Sequence, residues 1–393
     1  MSGPRDHAPG VPFYRDPKLR GLALQIALCA ALGLLAYGAV HNAAENLARA
    51  KIASGFGFWG VTAGFDISQT LIEYSPQTST YGRAFWVGLL NTLLVAVLGI
   101  VFATVLGFVL GIARLSRNFL VERLATSYVE LVRNVPLLLQ LLFWYNAVLK
   151  TLPEIGASLA LPGGILVNNR GLFTPRPLFA DGGQIVAVLA AAVLTAVAFN
   201  IMAARIARLR ESIAIRWIVT IAIAIGLPGA AFLAIGGAFE FDYPAVGRFN
   251  VQGGAEILPE LVALLLGLSI YTAAFIAEAV RAGLMSVSRG QTEAAQALGL
   301  RRMQTLRFIV IPQAMRVIIP PLTNQYLNLT KNSSLAVAIG YPDLVQIFAG
   351  SVLNITGQAI EVIVITMAVY LSFSLVTSLG MNLSNARFAL VER

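Results

Sequence analysis

Apolar residues fill long stretches of this chain, and short polar segments separate them. A helix needs about 20 apolar residues to cross a bilayer. That rule predicts eight spans, over 21–41, 85–112, 128–149, 184–204, 217–238, 257–280, 317–339 and 359–383. The alternate connections 42–84, 150–183, 239–256 and 340–358 are rich in Gly, Pro, Asn and aromatics, and irregular solvent-facing segments are expected there. One polar connection is patterned differently. Gly290 to Leu298 is predicted to be a short helix, because Ala294, Ala295, Gln296, Ala297 and Leu298 are good helix formers. Glu293 is expected in its first turn, where a negative charge suits the helix dipole. Gly299 is placed to close it in a left-handed conformation. A second helical segment is predicted from Arg301 to Ile311, with Pro312 interrupting it.

Composition agrees with the apolar pattern. Hydrophobic residues make up 57% of the chain and charged residues 12%, whereas a soluble domain carries about 25% charged residues. The net charge of +9 does not imply nucleic acid. Most Lys and Arg fall on one set of connections, including Arg114, Arg117, Arg123, Arg205, Arg208, Arg210, Arg216, Arg289, Arg301, Arg302 and Arg307. That asymmetry places those connections, and both termini, in the cytoplasm. The single cysteine, Cys29, permits no internal disulfide and reads as a buried apolar thiol of the first span. His7 and His41 are the only histidines, so a metal site has little material. No Gly-x4-Gly-Lys-Ser/Thr phosphate loop is present, and no Ser/His/Asp constellation is visible. The chain therefore reads as no enzyme, and ATP would be handled elsewhere.

The patterned connection has a spacing of its own. Glu293-Ala294-Ala295, three residues, Gly299, nine residues and Ile309-Val310-Ile311-Pro312 resemble the EAA signature of ABC importer permeases, with Ile311 in place of Leu. Gly88-Leu-Leu-Asn91-Thr92, Tyr128-Val-Glu130-Leu-Val-Arg133-Asn134-Val-Pro136 and Lys331-Asn332-Ser333-Ser334-Leu335 look like the permeases of polar amino acid uptake systems. Arg133-Asn134-Val135-Pro136 stands where that family commonly has Arg-Gly-Thr-Pro.

The resemblance implies an all-α integral membrane protein, the transmembrane domain of a type I ABC importer. It would have about eight transmembrane helices and a cytoplasmic coupling helix. The matching core is 84–150 and 257–385, with the coupling loop at 282–316. Residues 1–83 add a tail, a span and an outer loop, 151–256 insert two spans, and 386–393 form a C-terminal tail. This enlarged form is similar to one subunit of the broad-specificity L-amino acid importers, which pair two unlike permeases.

The implied activity is binding-protein-dependent, ATP-driven import of polar L-amino acids across a bacterial cytoplasmic membrane. The implied partners are a second, different permease, two ATPase subunits and a periplasmic or extracellular amino acid binding protein. No cofactor would bind this chain, since ATP and Mg act on the ATPase. Glu293, Ala294, Ala295, Gly299 and Pro312, flanked by Arg301 and Arg302, would carry the coupling. The alternative is an ion-coupled secondary transporter. It should show internal repeats and acids deep in its spans, and neither is evident in the sequence.

Ionisable groups inside spans are costly and are functional suspects. Glu130, Arg133 and Glu278 fall near cytoplasmic span ends. Two readings stand for them: an interhelical Glu278–Arg133 pair, or side chains snorkelling to the interface. Lys331 lies about 20 Å into its span by helical rise. Asn324, Gln325, Asn328, Asn332 and Ser333 surround it in sequence, and Asn324, Asn328 and Lys331 share one helical face. With a break expected at Pro320-Pro321, that stripe suits either a wet path for a zwitterion or polar contact between helices.

Overall fold

The computed structural model describes residues 17–49, 54–177, 241–247 and 250–388, with scattered helical positions between 188 and 230. Much of the two spans expected at 184–204 and 217–238, and the basic connection between them, lies outside the described residues. Among the described residues, five helices are long and apolar enough to cross a membrane. Residues 1–135 and 268–393 form one compact unit, and 136–267 form another.

In the first unit, α1 spans Pro17–Arg49. None of its apolar stretch is buried, and Cys29 is exposed. The expected buried thiol is therefore corrected: among the described residues nothing covers the apolar stretch of α1, and its apolar surface suits lipid. Helix α2, Tyr81–Ala113, starts at the cap of Thr80, whose hydroxyl accepts the Arg83 N–H at 3.3 Å. Gly99, Ala103, Gly107 and Gly111 recur every four residues along α2 and so lie on one face. Leu329 packs on Gly99, Ile276 on Gly107 and Val280 on Gly111. Small residues in this register let the backbones approach closely.

Helix α3, Phe119–Asn134, is capped by the Asn118 carboxamide oxygen, which accepts the N–H groups of Leu120 and Val121. The single span expected over 128–149 is not observed. Helix α3 begins nine residues earlier and ends at Val135, which is extended (φ −99°, ψ 127°). Pro136 causes this, because its ring disfavours a helical conformation in the preceding residue. Val129 and Val132 of α3 pack against Ala274 and Ala277. In the second unit, α4, Leu137–Leu142, runs on as a π-helical stretch, Phe143–Leu149.

The second unit also holds strands where irregular loops are expected. Strands β1 (Leu159–Leu161), β2 (Ile165–Asn168) and β3 (Gly171–Thr174) are joined by β8 (Ala255–Ile257) in an antiparallel sheet ordered β1-β2-β3-β8. Strands β4 (Arg176–Pro177) and β5 (Phe241–Asp242) pair, as do β6 (Ala245–Val246) and β7 (Val251–Gln252). Gly163 and Gly164, with φ of 86° and 75°, provide the left-handed turn between β1 and β2. The Gly and Asn content that suggests loops marks hairpin turns here.

Helix α5, Pro259–Met285, contributes 259–267 to the second unit and 268–285 to the first. The first unit continues with α6 (Arg289–Ala297) and α7 (Arg302–Thr305). A π turn, Leu306–Val310, leads into α8 (Ile311–Asn332), which tightens to a 3-10 stretch, Ser333–Ile339. Pro312 does not interrupt the chain as expected. It occupies the first turn of α8, and the π turn just before it absorbs the missing N–H and the bulk of the ring. Pro320 and Pro321 do not break α8 either. Ile318 and Leu322 are buried on either side of them, and that packing holds the helical path despite two absent donors.

The connection expected over 340–358 is largely buried helix. A π-helical stretch, Gln346–Val352, leads into α9 (Leu353–Thr356), and α10 spans Ala359–Phe388. Leu344, Ile347, Phe348 and Val352 are buried with Ala84 and Val87 of α2. Their three- and four-residue spacing is that of a helix face.

Candidate coupling and transport sites

The patterned connection folds as a short helix with a defined end. Gly299 takes φ 76°, as expected. Its N–H donates to the Gln296 carbonyl at 2.9 Å, and the Leu300 N–H donates to the Ala295 carbonyl at 3.0 Å. This pair of bonds is the Schellman closure, which satisfies carbonyls the helix would leave open. Helix α6 starts one residue before the expected position, at Arg289, so Glu293 lies beyond the first turn and interacts more weakly with the helix dipole. Ala295 is buried beneath the helix, while Glu293, Ala294, Ala297 and Leu298 are exposed. Arg301 caps α7, its N–H donating to the Gln304 side chain at 2.9 Å. Arg301 and Arg302 are exposed. Gln313 bonds Gln291 at 3.3 Å, tying α6 to the start of α8.

Three large apolar side chains stand out around α6: Leu298 is 81% exposed, Met303 76% and Phe308 62%. All three fall within the 298–308 stretch that joins α6 to α8. Exposed apolar clusters of this kind mark contact surfaces.

The charged residues form a hub around Glu278 on α5. Its carboxylate accepts from Arg114, at the end of α2, and from Arg281 Nη2 at 2.6 Å. Arg133 of α3 stands farther off, with Nη1 at 3.9 Å, and lies over the Phe275 ring at 5.1 Å. The Arg114 side chain is only 9% exposed. Thus the Glu278–Arg133 contact considered from sequence is the outermost of three. Glu130 is exposed and enters no ion pair among the described residues. Arg114 reads in sequence as an ordinary cytoplasmic-loop cation, and only the crossing of α2 and α5 at Gly111 brings it to Glu278.

On α8, Asn324, Asn328 and Lys331 are exposed along one face, with Gln325 and Asn332 half-buried beside it. Ser333 is turned inward, and its hydroxyl donates to the Thr330 carbonyl at 2.8 Å. It therefore stands apart from the stripe with which its sequence position groups it.

A further polar cluster was not legible as a site. Asn91 is fully buried and donates to the carbonyls of Gln69 (2.9 Å) and Pro342 (2.8 Å). The Thr92 hydroxyl accepts the Leu344 N–H at 3.0 Å. A Cβ on Gly88 would stand 3.0 Å from the Leu344 Cα. The Gly88/Asn91/Thr92 motif is thus the clamp that holds 341–344 against α2. Within the clamped segment, buried Asp343 accepts the Gln346 N–H at 2.8 Å and the Tyr370 hydroxyl at 3.2 Å. Burial pushes its carboxyl up to about 7.

A family described as the binding-protein-dependent transport system inner membrane component matches residues 103–390. The general L-amino acid transport system permease protein AapQ of Rhizobium johnstonii is 51% identical, covering 96% of this chain and 94% of that protein. The putative amino-acid ABC transporter permease protein YhdX of Escherichia coli is 50% identical over the whole of both. The glutamate/glutamine/aspartate/asparagine transport system permease protein BztB of Rhodobacter capsulatus is 39% identical over 96% of each. The chain therefore belongs to the inner membrane components of binding-protein-dependent transport systems, as a multi-pass transport subunit and not an enzyme.

Proposed function

We propose that this chain is a permease subunit for polar L-amino acids whose helix α6 docks on a separate ATPase. The observation that carries the coupling is the closed α6 helix: a rigid element with Glu293, Ala294 and Leu298 exposed, held at its far end by Gly299. Met303, Phe308 and the cations Arg301 and Arg302, which follow α6 in the chain, are exposed as well. Pro312 joins it to α8, so a push on α6 is delivered to a spanning helix. ATP and Mg act on the ATPase, of which two copies serve the transporter. The names of the relatives support amino acid import. The broad-specificity resemblance supports a second permease that is a different chain, and a binding protein that delivers the substrate.

Gly299→Leu tests the coupling. Nothing lies within 4 Å of a Cβ there, so the strain comes only from the left-handed backbone, about 1–2 kcal/mol. The expected result is weaker co-purification of the ATPase and lower uptake, with normal membrane insertion. Gly299→Asn, which tolerates this backbone, should retain both. Wild-type coupling in the Leu variant would refute the docking role.

The stripe of Asn324, Asn328 and Lys331 supports a substrate path. Three unpaired polar groups facing lipid would be costly, so water, substrate or a partner subunit must meet them. A Lys ammonium suits an amino acid carboxylate, and the amides suit the remaining polar atoms. Lys331→Met should lower uptake while leaving assembly intact, because it preserves the length of the side chain. Unchanged uptake kinetics would assign Lys331 to helix contacts instead. The Glu278 hub is a candidate gate, since it joins the ends of α2 and α3 to α5.

The placement of Lys and Arg supports cytoplasmic termini, with α6 inside and the β1–β3 sheet outside. Exposed Arg170 and Arg302 provide the test, each as a single cysteine in a Cys29→Ala background. An impermeant maleimide should reach them from opposite faces of the membrane. Labelling from one face would overturn this topology.

A further inference from the structure

We infer that the cleft between residues 73–80 and the first turn of α2 is a low-affinity site for a zwitterionic α-amino acid, a waiting position before the transmembrane path. This rests on the amino acid import reading above. The cleft measures about 460 Å³ and is lined by Glu73, Thr78, Ser79 and Arg83 among others. That volume falls within the range of roughly 300–1,000 Å³ typical of small-molecule sites.

The lining is unusual in its charges. The Arg83 Nε donates to the main-chain carbonyl of Glu73 at 2.9 Å, so the two residues are held side by side. Yet among the described residues neither side-chain charge enters an ion pair, with each other or with any other group. The terminal guanidinium nitrogens and the Glu73 carboxylate both remain available at the cleft. An α-amino acid carries the complementary pair on one carbon. Its carboxylate suits the planar guanidinium fork, and its ammonium suits the carboxylate of Glu73.

The walls are held in place. The Ser75 N–H donates to the Ser79 hydroxyl oxygen at 2.9 Å, which leaves the Ser79 hydroxyl proton free to donate. The Tyr74 hydroxyl donates to the Phe65 carbonyl at 2.8 Å, and Thr62 bridges Thr80. These bonds fix the wall of the cleft, so ordering on binding is confined to the Glu73 and Arg83 side chains, which limits its cost. Both charges are exposed, so each contributes modestly. The expected Kd is on the order of 1 mM, fit for transfer rather than retention. Specificity would rest on the shared α-carbon charges, because those are what Glu73 and Arg83 meet.

The test uses the assembled transporter in nanodiscs without its binding protein, with L-glutamine as the probe, read by saturation-transfer NMR. Wild type should show saturable contact, displaced by other L-amino acids but not by the corresponding amine that lacks the carboxylate. Arg83→Gln and Glu73→Gln should each weaken it about two- to fivefold, the effect of losing one solvent-exposed charge pair. Both side chains are exposed, and co-purification of the ATPase confirms that the variants assemble. Unchanged glutamine contact in both variants would overturn the site. So would variants that keep glutamine contact but lose affinity for the loaded binding protein, since the cleft would then be a protein contact. Absence of glutamine contact in a transporter that imports glutamine overturns the cleft alone. Absence of import for every amino acid overturns the reading beneath it, and the cleft with it.

Discussion

Glu278→Gln should destabilise the assembled transporter by about 3 kcal/mol, since it removes the carboxylate at the centre of the hub and leaves the buried Arg114 cation unmatched. Arg114 is the cause of the large effect. Its side chain is 9% exposed, and besides Glu278 it reaches Thr126 at 3.4 Å. An ammonium at this depth snorkels out on a flexible stem, but Arg114 is fixed by its place at the end of α2, beside Gly111. Arg281 and Arg133 are partly exposed and should relax toward water at smaller cost. The check is thermal unfolding of the purified complex, followed by uptake in vesicles. Combining Glu278→Gln with Arg114→Gln should recover part of the loss, because the neutral pair strands no charge. A single variant as stable as wild type would show that the hub contributes nothing, and a double variant no better than the single would point to lost shape rather than lost charge.

Gly111→Leu should be at least as damaging, with an expected loss of about 3 kcal/mol or more and failure to assemble. A Cβ at this position would stand 2.7 Å from the Cβ of Val280 and 2.8 Å from the backbone oxygen of Ala277. A side chain can turn aside, but a helix backbone cannot without moving α5 as a whole. Gly107 meets the same helix one turn earlier, with a Cβ 2.5 Å from Ile276 Cγ2, so the contact has no slack at either point. Displacing α5 would also separate Arg114 from Glu278, which couples this prediction to the first. Val109→Leu, on the exposed side of α2, is the control and should be neutral. Size-exclusion profiles in detergent and the yield of assembled complex decide the outcome. Normal assembly of Gly111→Leu would mean that α2 and α5 do not need their close approach.

The sequence by itself determined whatever depends on local pattern. Long apolar runs are enough to place α1, α2, α5, α8 and α10, because backbone groups in lipid must bond within their own segment. The end of α6 was equally legible, since Gly299 can adopt a positive φ at little cost and the carbonyls before it require a partner. The Asn324–Asn328–Lys331 face followed from helical periodicity alone, whereas Ser333 did not, because the tightening to a 3-10 stretch at that residue rotates it inward.

Only the tertiary structure decided the rest, and the reason in each case is a contact between distant residues. Val135-Pro136 divides what hydropathy reads as one span, a backbone effect that a sliding average cannot register. Residues 340–358 read as an outer loop because Gly340, Pro342, Gly350, Asn354 and Gly357 punctuate them. Packing against Val87 and the Asn91–Thr92 clamp make them buried helix instead. The partner of Glu278 is chosen the same way. Spacing along the chain brings forward Arg133, but the glycines of α2 let that helix approach α5 closely enough for Arg114 to arrive first.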